Sequence, residues 1–189
     1  MIRARSVLVL TLCVLLLLGA PAAIGAGSLH LGDGVVTVHV RTGTVGGSFG
    51  SHEWARVPSV RVAVSPAEGA STIVMARFSA LTSCSTVARV NARSWCMVRV
   101  RVHQPGTEGF FAQPFNPDQQ AGATMDSGTG AVDAGEDLKE THAIDRSAVI
   151  SGEELWYVDV EYKLGPNATE FVIDDWSLTV QTSPEITFG

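Results

Sequence analysis

Beyond its first 26 residues the 189-residue chain has no long hydrophobic run, no apolar C-terminal tail, no cluster of Lys and Arg, and no sustained 3.6-residue apolar period. Each absence removes a class. Without a second run of roughly 20 apolar residues, no further helical membrane anchor is expected. Without a basic cluster, and with a formal net charge of -6, the chain is no candidate for nucleic acid, whose phosphates reward Lys and Arg. Without helical periodicity, helical architectures lose their main signal. Cysteine is scarce as well. There are three, with no CxxC pair and no HxxxH spacing among the five histidines. The usual zinc frameworks are therefore missing, and no metal or cofactor is expected.

The first 26 residues carry a leader pattern. Arg3 and Arg5 precede an apolar run from Val7 to Leu18, and small residues follow. That is the charged, apolar and cleavage order of a signal peptide. Ala20-Pro21-Ala22 offers one cleavage site, and Ala26 ends a second. The apolar run is short for a span; left uncleaved, it would be the membrane contact. Cys13 lies inside the run, whereas a lipid-bearing cysteine would follow it. The expectation is a secreted chain with a signal peptide at 1–26 and a single domain at 27–189, long enough to bury its own core.

Two cysteines remain in that domain, Cys84 and Cys96. In an exported chain an even pair reads by default as a disulfide. A two-thiol metal site is the alternative and would need two further ligands. The rest of the chain alternates. Val36, Val38 and Val40 interleave with Thr37, His39 and Arg41. Val60, Val62 and Val64 interleave with Arg61 and Ala63. Val74, Ala76 and Phe78 oppose Met75 and Arg77. Cys96, Val98, Val100 and Val102 oppose Met97, Arg99, Arg101 and His103. Trp156, Val158, Val160, Tyr162 and Leu164 oppose Tyr157, Asp159, Glu161 and Lys163. Period-two runs broken by Gly, Pro and Asn mark antiparallel sheets with one wet face. The predicted fold is an all-β antiparallel sandwich of about eight strands, jelly-roll-like.

Charge is unevenly placed along the chain. Arg is rich between Arg41 and Arg101; after Glu108, Asp and Glu dominate, opposed by Lys139, Arg146 and Lys163. If strands from the two halves pair, Arg meets carboxylate across a sheet, each exposed pair contributing tenths of a kcal/mol. In FVIDDWSLTV, Phe171 and Ile173 share one parity while Trp176, Leu178 and Val180 share the other. Burying all five requires a β-bulge at Asp174-Asp175. The dyad reads first as structural, pairing with Arg or capping a turn, and second as a ligand contact. Residues 116–141 read as a long polar loop whose Asp126, Asp133, Glu136 and Asp137 lack the spacing of a calcium site.

GGSFG, residues 46–50, fits the G-x-S-x-G form of a serine-hydrolase elbow. An elbow needs a helix after the serine; here Pro58 and another strand follow. Ser48 is therefore not read as a nucleophile, and the segment reads as a glycine-rich turn. His52 and Glu53 do not make HExxH. His30, His39, His103 and His142 are scattered, and read as ordinary surface or strand residues.

ARFSALTSC at 76–84, SWCMVRVRV at 94–102, HAIDRS at 142–147 and FVIDDWSLTV at 171–180 together resemble a group of small exported bacterial β-sandwich proteins. The resemblance runs from Ile73 to Gln181 with order and spacing respected. It departs at Leu81, where the group has Glu, and does not cover Leu29 to Val64. It implies the sandwich, the Cys84–Cys96 pairing and the DDW strand, and implies no activity. Low lysine and a bias to Ala, Val, Gly, Arg and Asp fit a GC-rich bacterium, where the Asn167-Ala168-Thr169 sequon stays unmodified.

Three functions follow. The first is an extracellular binding module for carbohydrate or protein. Trp54 and Trp95 are its candidate contacts, because Trp156 and Trp176 fall in phase with buried residues. The second is a structural, self-associating subunit joined through an apolar face or edge strand. The third is a hydrolase or lyase pairing Asp174 or Asp175 with Glu161 or Asp159 across one cleft.

Overall fold

A computed structural model describes residues 24–31, 34–44, 47–66, 71–86, 95–113, 122–126 and 139–184. These form eleven strands, with no helix among the described residues: β1 (Ile24–Leu31), β2 (Gly34–Gly43), β3 (Gly47–Phe49), β4 (Ala55–Val64), β5 (Thr72–Thr86), β6 (Cys96–His103), β7 (Phe110–Phe111), β8 (Ala123–Asp126), β9 (Glu140–Ile150), β10 (Trp156–Leu164) and β11 (Ala168–Pro184). All pairings are antiparallel. One sheet runs β1-β2-β11-β5-β9, with β3 also on β11; the other runs β4-β10-β6-β7, with β8 also on β6. The chain is an all-β sandwich. Three strands beyond the expected eight are β3, β7 and β8, of two to four residues each, too short for alternation to register.

The alternating residues meet between the sheets. Val60, Val98, Val100, Val102, Val158 and Val160 face Phe78, Phe171, Leu178 and Val180, all with no exposed surface. Each such side chain contributes about 1.5–3 kcal/mol on burial. Cys84 of β5 is bonded to Cys96 of β6, Cα atoms 5.8 Å apart, so the disulfide links the two sheets at one end.

Strand β11 keeps Phe171, Ile173, Trp176, Leu178 and Val180 inside by slipping phase at the dyad. Asp174 is opposite Leu81 and Ser177 is opposite Ser79, so β11 spends one residue more than β5 there. Asp175 takes φ 40°, the left-handed region that a bulge uses and that Asp tolerates better than most.

Three expectations need correction. The valines of β2 do not face the core. Arg41 is opposite Leu178 and His39 opposite Val180, both buried, while Val38 and Val40 oppose Gln181 and Thr179. Near this margin of the sandwich Arg41 reaches across and donates to the Arg61 carbonyl of β4 at 2.9 Å, so the polar side chain is the one turned inward. The described part of GGSFG is not a turn: Gly47–Phe49 is a strand paired with Val172 and its neighbours. Gly47 serves by its size. A Cβ there would sit 2.6 Å from the Phe49 ring, which packs on Tyr162 at 4.8 Å. The polar segment 116–141 is interrupted by β8, which pairs Ala123 and Thr124 with Val98 and Met97, and β9 starts at Glu140. Backbone pairing needs no apolar face, so composition concealed β8.

Residues 1–23 of the predicted leader lie outside the described residues. Ile24, Gly25 and Ala26 open β1 and pair with Arg41, Val40 and His39.

Candidate functional site: the outer face of the five-stranded sheet

On β10, Asp159 and Glu161 alternate with core valines and so stand on the face turned away from the core. Asp159 is opposite Arg61 of β4 on one side and Arg101 of β6 on the other; Glu161 is opposite Arg56 and Arg99. The arginine-rich first half and the acidic second half of the chain thus meet in cross-strand pairs. Both carboxylates are nearly sealed, at 3% and 5% exposure, which places their pairs outside the weak, solvated class.

Asp159 accepts from Arg61 Nε at 2.6 Å and Nη2 at 2.7 Å, and faces His103 Nε2 at 3.0 Å. His103 Nδ1 lies 2.9 Å from the Gln104 carbonyl. Both ring nitrogens thus face oxygen atoms, one of the Asp159 carboxylate and one of the Gln104 backbone. Burial pushes the Asp159 carboxyl up, but hydrogen bonds from Arg61 and His103 outweigh it and hold the group below the ordinary carboxylate range. The same Asp159 bond raises the Arg61 pKa. Arg61 also stacks on Tyr157, 4.3 Å from the ring centroid.

Glu161 forms the second node. Arg99 Nε and Nη2 both lie 2.7 Å from Oε2, and Arg101 Nη1 lies 3.0 Å from Oε1. The Arg99 guanidinium is enclosed by two rings, with Trp54 at 4.0 Å and Phe111 at 3.7 Å to the centroids. Its direction is set by two side-chain bonds and two aromatic contacts.

Local sequence positions these rings. After β6, Thr107 N–H donates to the Gln104 carbonyl at 3.2 Å, with Pro105 and Gly106 between them and Gly106 at φ 76°. Pro at the second position and Gly with positive φ at the third suit a type II turn. Gly109 follows at φ 65°, where a Cβ would lie 2.3 Å from the Val102 carbonyl oxygen. The chain can therefore return tightly enough to set Phe111 beside Arg101. Trp54 is fixed from the other side. The Ser51 hydroxyl bridges the Glu53 backbone, and the Ser51 carbonyl accepts from Leu164 N–H at 2.9 Å.

Among the sequence candidates, Trp54 belongs to this face and Trp95 does not. Trp95 packs on Gly165 at the β10–β11 turn, where a Cβ would lie 2.7 Å from its ring. Asp174 pairs with Lys139 at 3.0 Å and accepts from the Asp175 N–H at 3.1 Å; the partner is a lysine where arginine was expected. Asp174 and Asp175 are in the six-stranded sheet, while Asp159 and Glu161 are in the five-stranded one. Ser48 donates to the Glu170 carboxylate from a strand. Asp133, Glu136 and Asp137 lie outside the described residues, and Asp126 ends β8. Asn167 is half-buried in the β10–β11 turn.

Sequence reading missed His103 as a buried partner of Asp159; it treated the histidine as ordinary. Its signal was its parity with Arg99 and Arg101. It also missed Arg146, buried on the core side of β9 opposite Ala76. Burial lowers the Arg146 pKa, against Asp145. Comparison with known families finds no family model that matches the chain, and comparison with curated proteins finds none that matches it.

Proposed function

We propose that the chain is an exported, non-catalytic binding module for extracellular carbohydrate or protein, built as a jelly roll, with its contact surface on the outer face of the five-stranded sheet. Supporting the fold reading is the strand order β2-β11-β5-β9 against β4-β10-β6-β7. Strands β4, β5 and β6 alternate between the sheets, as do β9, β10 and β11, the pattern two Greek keys produce. Supporting export are the leader pattern and the inter-sheet disulfide, which persists in oxidising compartments.

The observation that carries the binding reading is Arg99, clamped by Glu161 between Trp54 and Phe111. A face whose polar and aromatic groups are held in place loses little entropy when a partner settles on it. The same bonding speaks against acid-base chemistry there. Asp159 is held below the carboxylate range, whereas a proton donor of the glycosidase kind needs the opposite shift.

The test is calorimetric titration of the chain, purified after export, against a panel of polysaccharides and cell-surface proteins. Saturable binding lost in Trp54→Ala and kept in Trp95→Ala is the expected result. Binding indifferent to Trp54→Ala removes this face from the proposal. A second reading, self-association, rests on Val38 and Val40 lying opposite Gln181 and Thr179 on the outer side of the six-stranded sheet. Light scattering on the same sample tests it: a defined oligomer dispersed by Val38→Asp would favour it.

A further inference from the structure

We propose that the outer face of the five-stranded sheet takes an acidic polysaccharide, its carboxylate or sulfate groups on Arg56 and Lys163 and a sugar ring on Trp54. This rests on the binding reading above and assigns its ligand class.

The inference begins with charge. The chain carries a net -6, yet on this face the strands β4, β6 and β10 bear five cations, Arg56, Arg61, Arg99, Arg101 and Lys163, against two carboxylates, Asp159 and Glu161. The carboxylates are already committed. Asp159 holds Arg61 and His103; Glu161 holds Arg99 with one oxygen and Arg101 with the other. Arg56 and Lys163 have no ion-pair partner among the described residues, although both flank Glu161. Arg56 is its neighbour on β4, and Lys163 stands two residues further along β10, roughly 7 Å away on the same face.

Backbone shape keeps Arg56 available. Between Asp159 and Glu161 β10 advances two residues, while β4 takes five, from Arg61 to Arg56. The excess holds Pro58 and Ser59, and Ser59 adopts φ 66°, a left-handed backbone uncommon for a non-glycine residue. Bulges of this kind re-aim side chains and interrupt an edge strand. Trp54 completes the group. It covers Arg99, and a Cβ on Gly122 would meet both the Trp54 ring, at 3.2 Å, and Met97, at 3.0 Å. Met97 is the residue opposite Lys163. One aromatic ring and two uncommitted cations therefore border a fixed cationic ladder. Neutral sugars would use the ring alone, whereas acidic ones would use all three.

The experiment titrates the exported chain with alginate (carboxylate), dextran sulfate (sulfate) and neutral dextran of matched length, across a salt series. Expected is binding to alginate or dextran sulfate, weakened by salt, with none to dextran. Arg56→Ala with Lys163→Ala should weaken it at least tenfold, the scale of lost charge-assisted hydrogen bonds, and leave the melting temperature unchanged. Trp54→Ala should weaken it as well. The alginate and dextran sulfate arms tell which anion is preferred. Dextran binding as tight as alginate would overturn the acidic assignment and leave the module reading intact. Polyanion binding that survives all three substitutions would be bulk attraction and would also overturn it. No binding to any of the three polymers overturns the ligand class; if the wider panel is silent too, the binding reading falls with it.

Discussion

Asp159→Asn is the sharpest test of the ladder. The substitution keeps the side chain's shape and removes its charge. It leaves Arg61 and His103 facing an amide in a spot where Asp159 is 3% exposed. Breaking a fully buried ion pair costs about 3–5 kcal/mol. The Arg61 side chain is 31% exposed and recovers part of its hydration, so the expected loss is at the lower edge, about 3 kcal/mol. For a domain of this size that lowers Tm by about 6–12 °C. The pH dependence adds a second signature. The folded-state pKa of Asp159 lies below the ordinary 3.8, so its contribution is complete above 3.8 and is lost as pH falls through the folded-state value. The variant has no carboxylate to protonate. The gap between wild type and Asp159→Asn should be full at neutral pH and close well below pH 3.8. Urea unfolding at a series of pH values measures this directly. A gap under about 1 kcal/mol at neutral pH, or one that persists unchanged in acid, would refute the claim that Asp159 is a buried and charge-paired node.

Other positions give independent checks. Cys84→Ser should cost about 3 kcal/mol, from release of the 12-residue separation into the unfolded ensemble, and should expose one thiol to a labelling reagent; no change in either would refute the bond's contribution to the stability of the chain. Gly43→Ala would place a Cβ 2.5 Å from the Trp176 ring, and a loss of about 1–3 kcal/mol is expected in chemical denaturation. At Asp175, φ 40° predicts opposite outcomes for two substitutions: Asp175→Gly near neutral, and Asp175→Val destabilising by about 1–2 kcal/mol. Equal stability of the two would mean that the bulge is not left-handed there.

Parity was legible in the residues, and facing was not. Alternation in β4, β5, β6 and β10 picks out the buried valines, and the parity break at Asp174-Asp175 picks out the bulge, because packing both Ile173 and Trp176 inward leaves no other regular solution. In β2 the same alternation is present but points the other way. Its valines face outward because Leu178 and Val180, on the partner strand, set the inner side, and nothing within β2 reveals that partner. The short strands β3, β7 and β8 were hidden because their pairing is a property of the backbone. Gly47 misled for a related reason: glycine is read as freedom in φ, while here it makes room for Phe49.

The site was half visible for a physical reason that bears on its use. Separation of Arg and carboxylate along the chain predicts that they meet across a sheet; it does not say that the pairs will be buried, nor which cations will be left over. Those depend on register. A register with Asp159 at Arg61 and Glu161 at Arg99 assigns both carboxylates, and with the carboxylates assigned, Arg56 and Lys163 are left without ion-pair partners among the described residues. Shifting β10 by one residue would turn Asp159 and Glu161 into the core and Val158 and Val160 out to water, so the valines that hold the sandwich together also decide which cations remain for a ligand. Core packing and the proposed recognition surface are two sides of the same strand, and under that proposal a substitution that loosens Val158 or Val160 is expected to weaken acidic-polysaccharide binding even though neither residue touches that face.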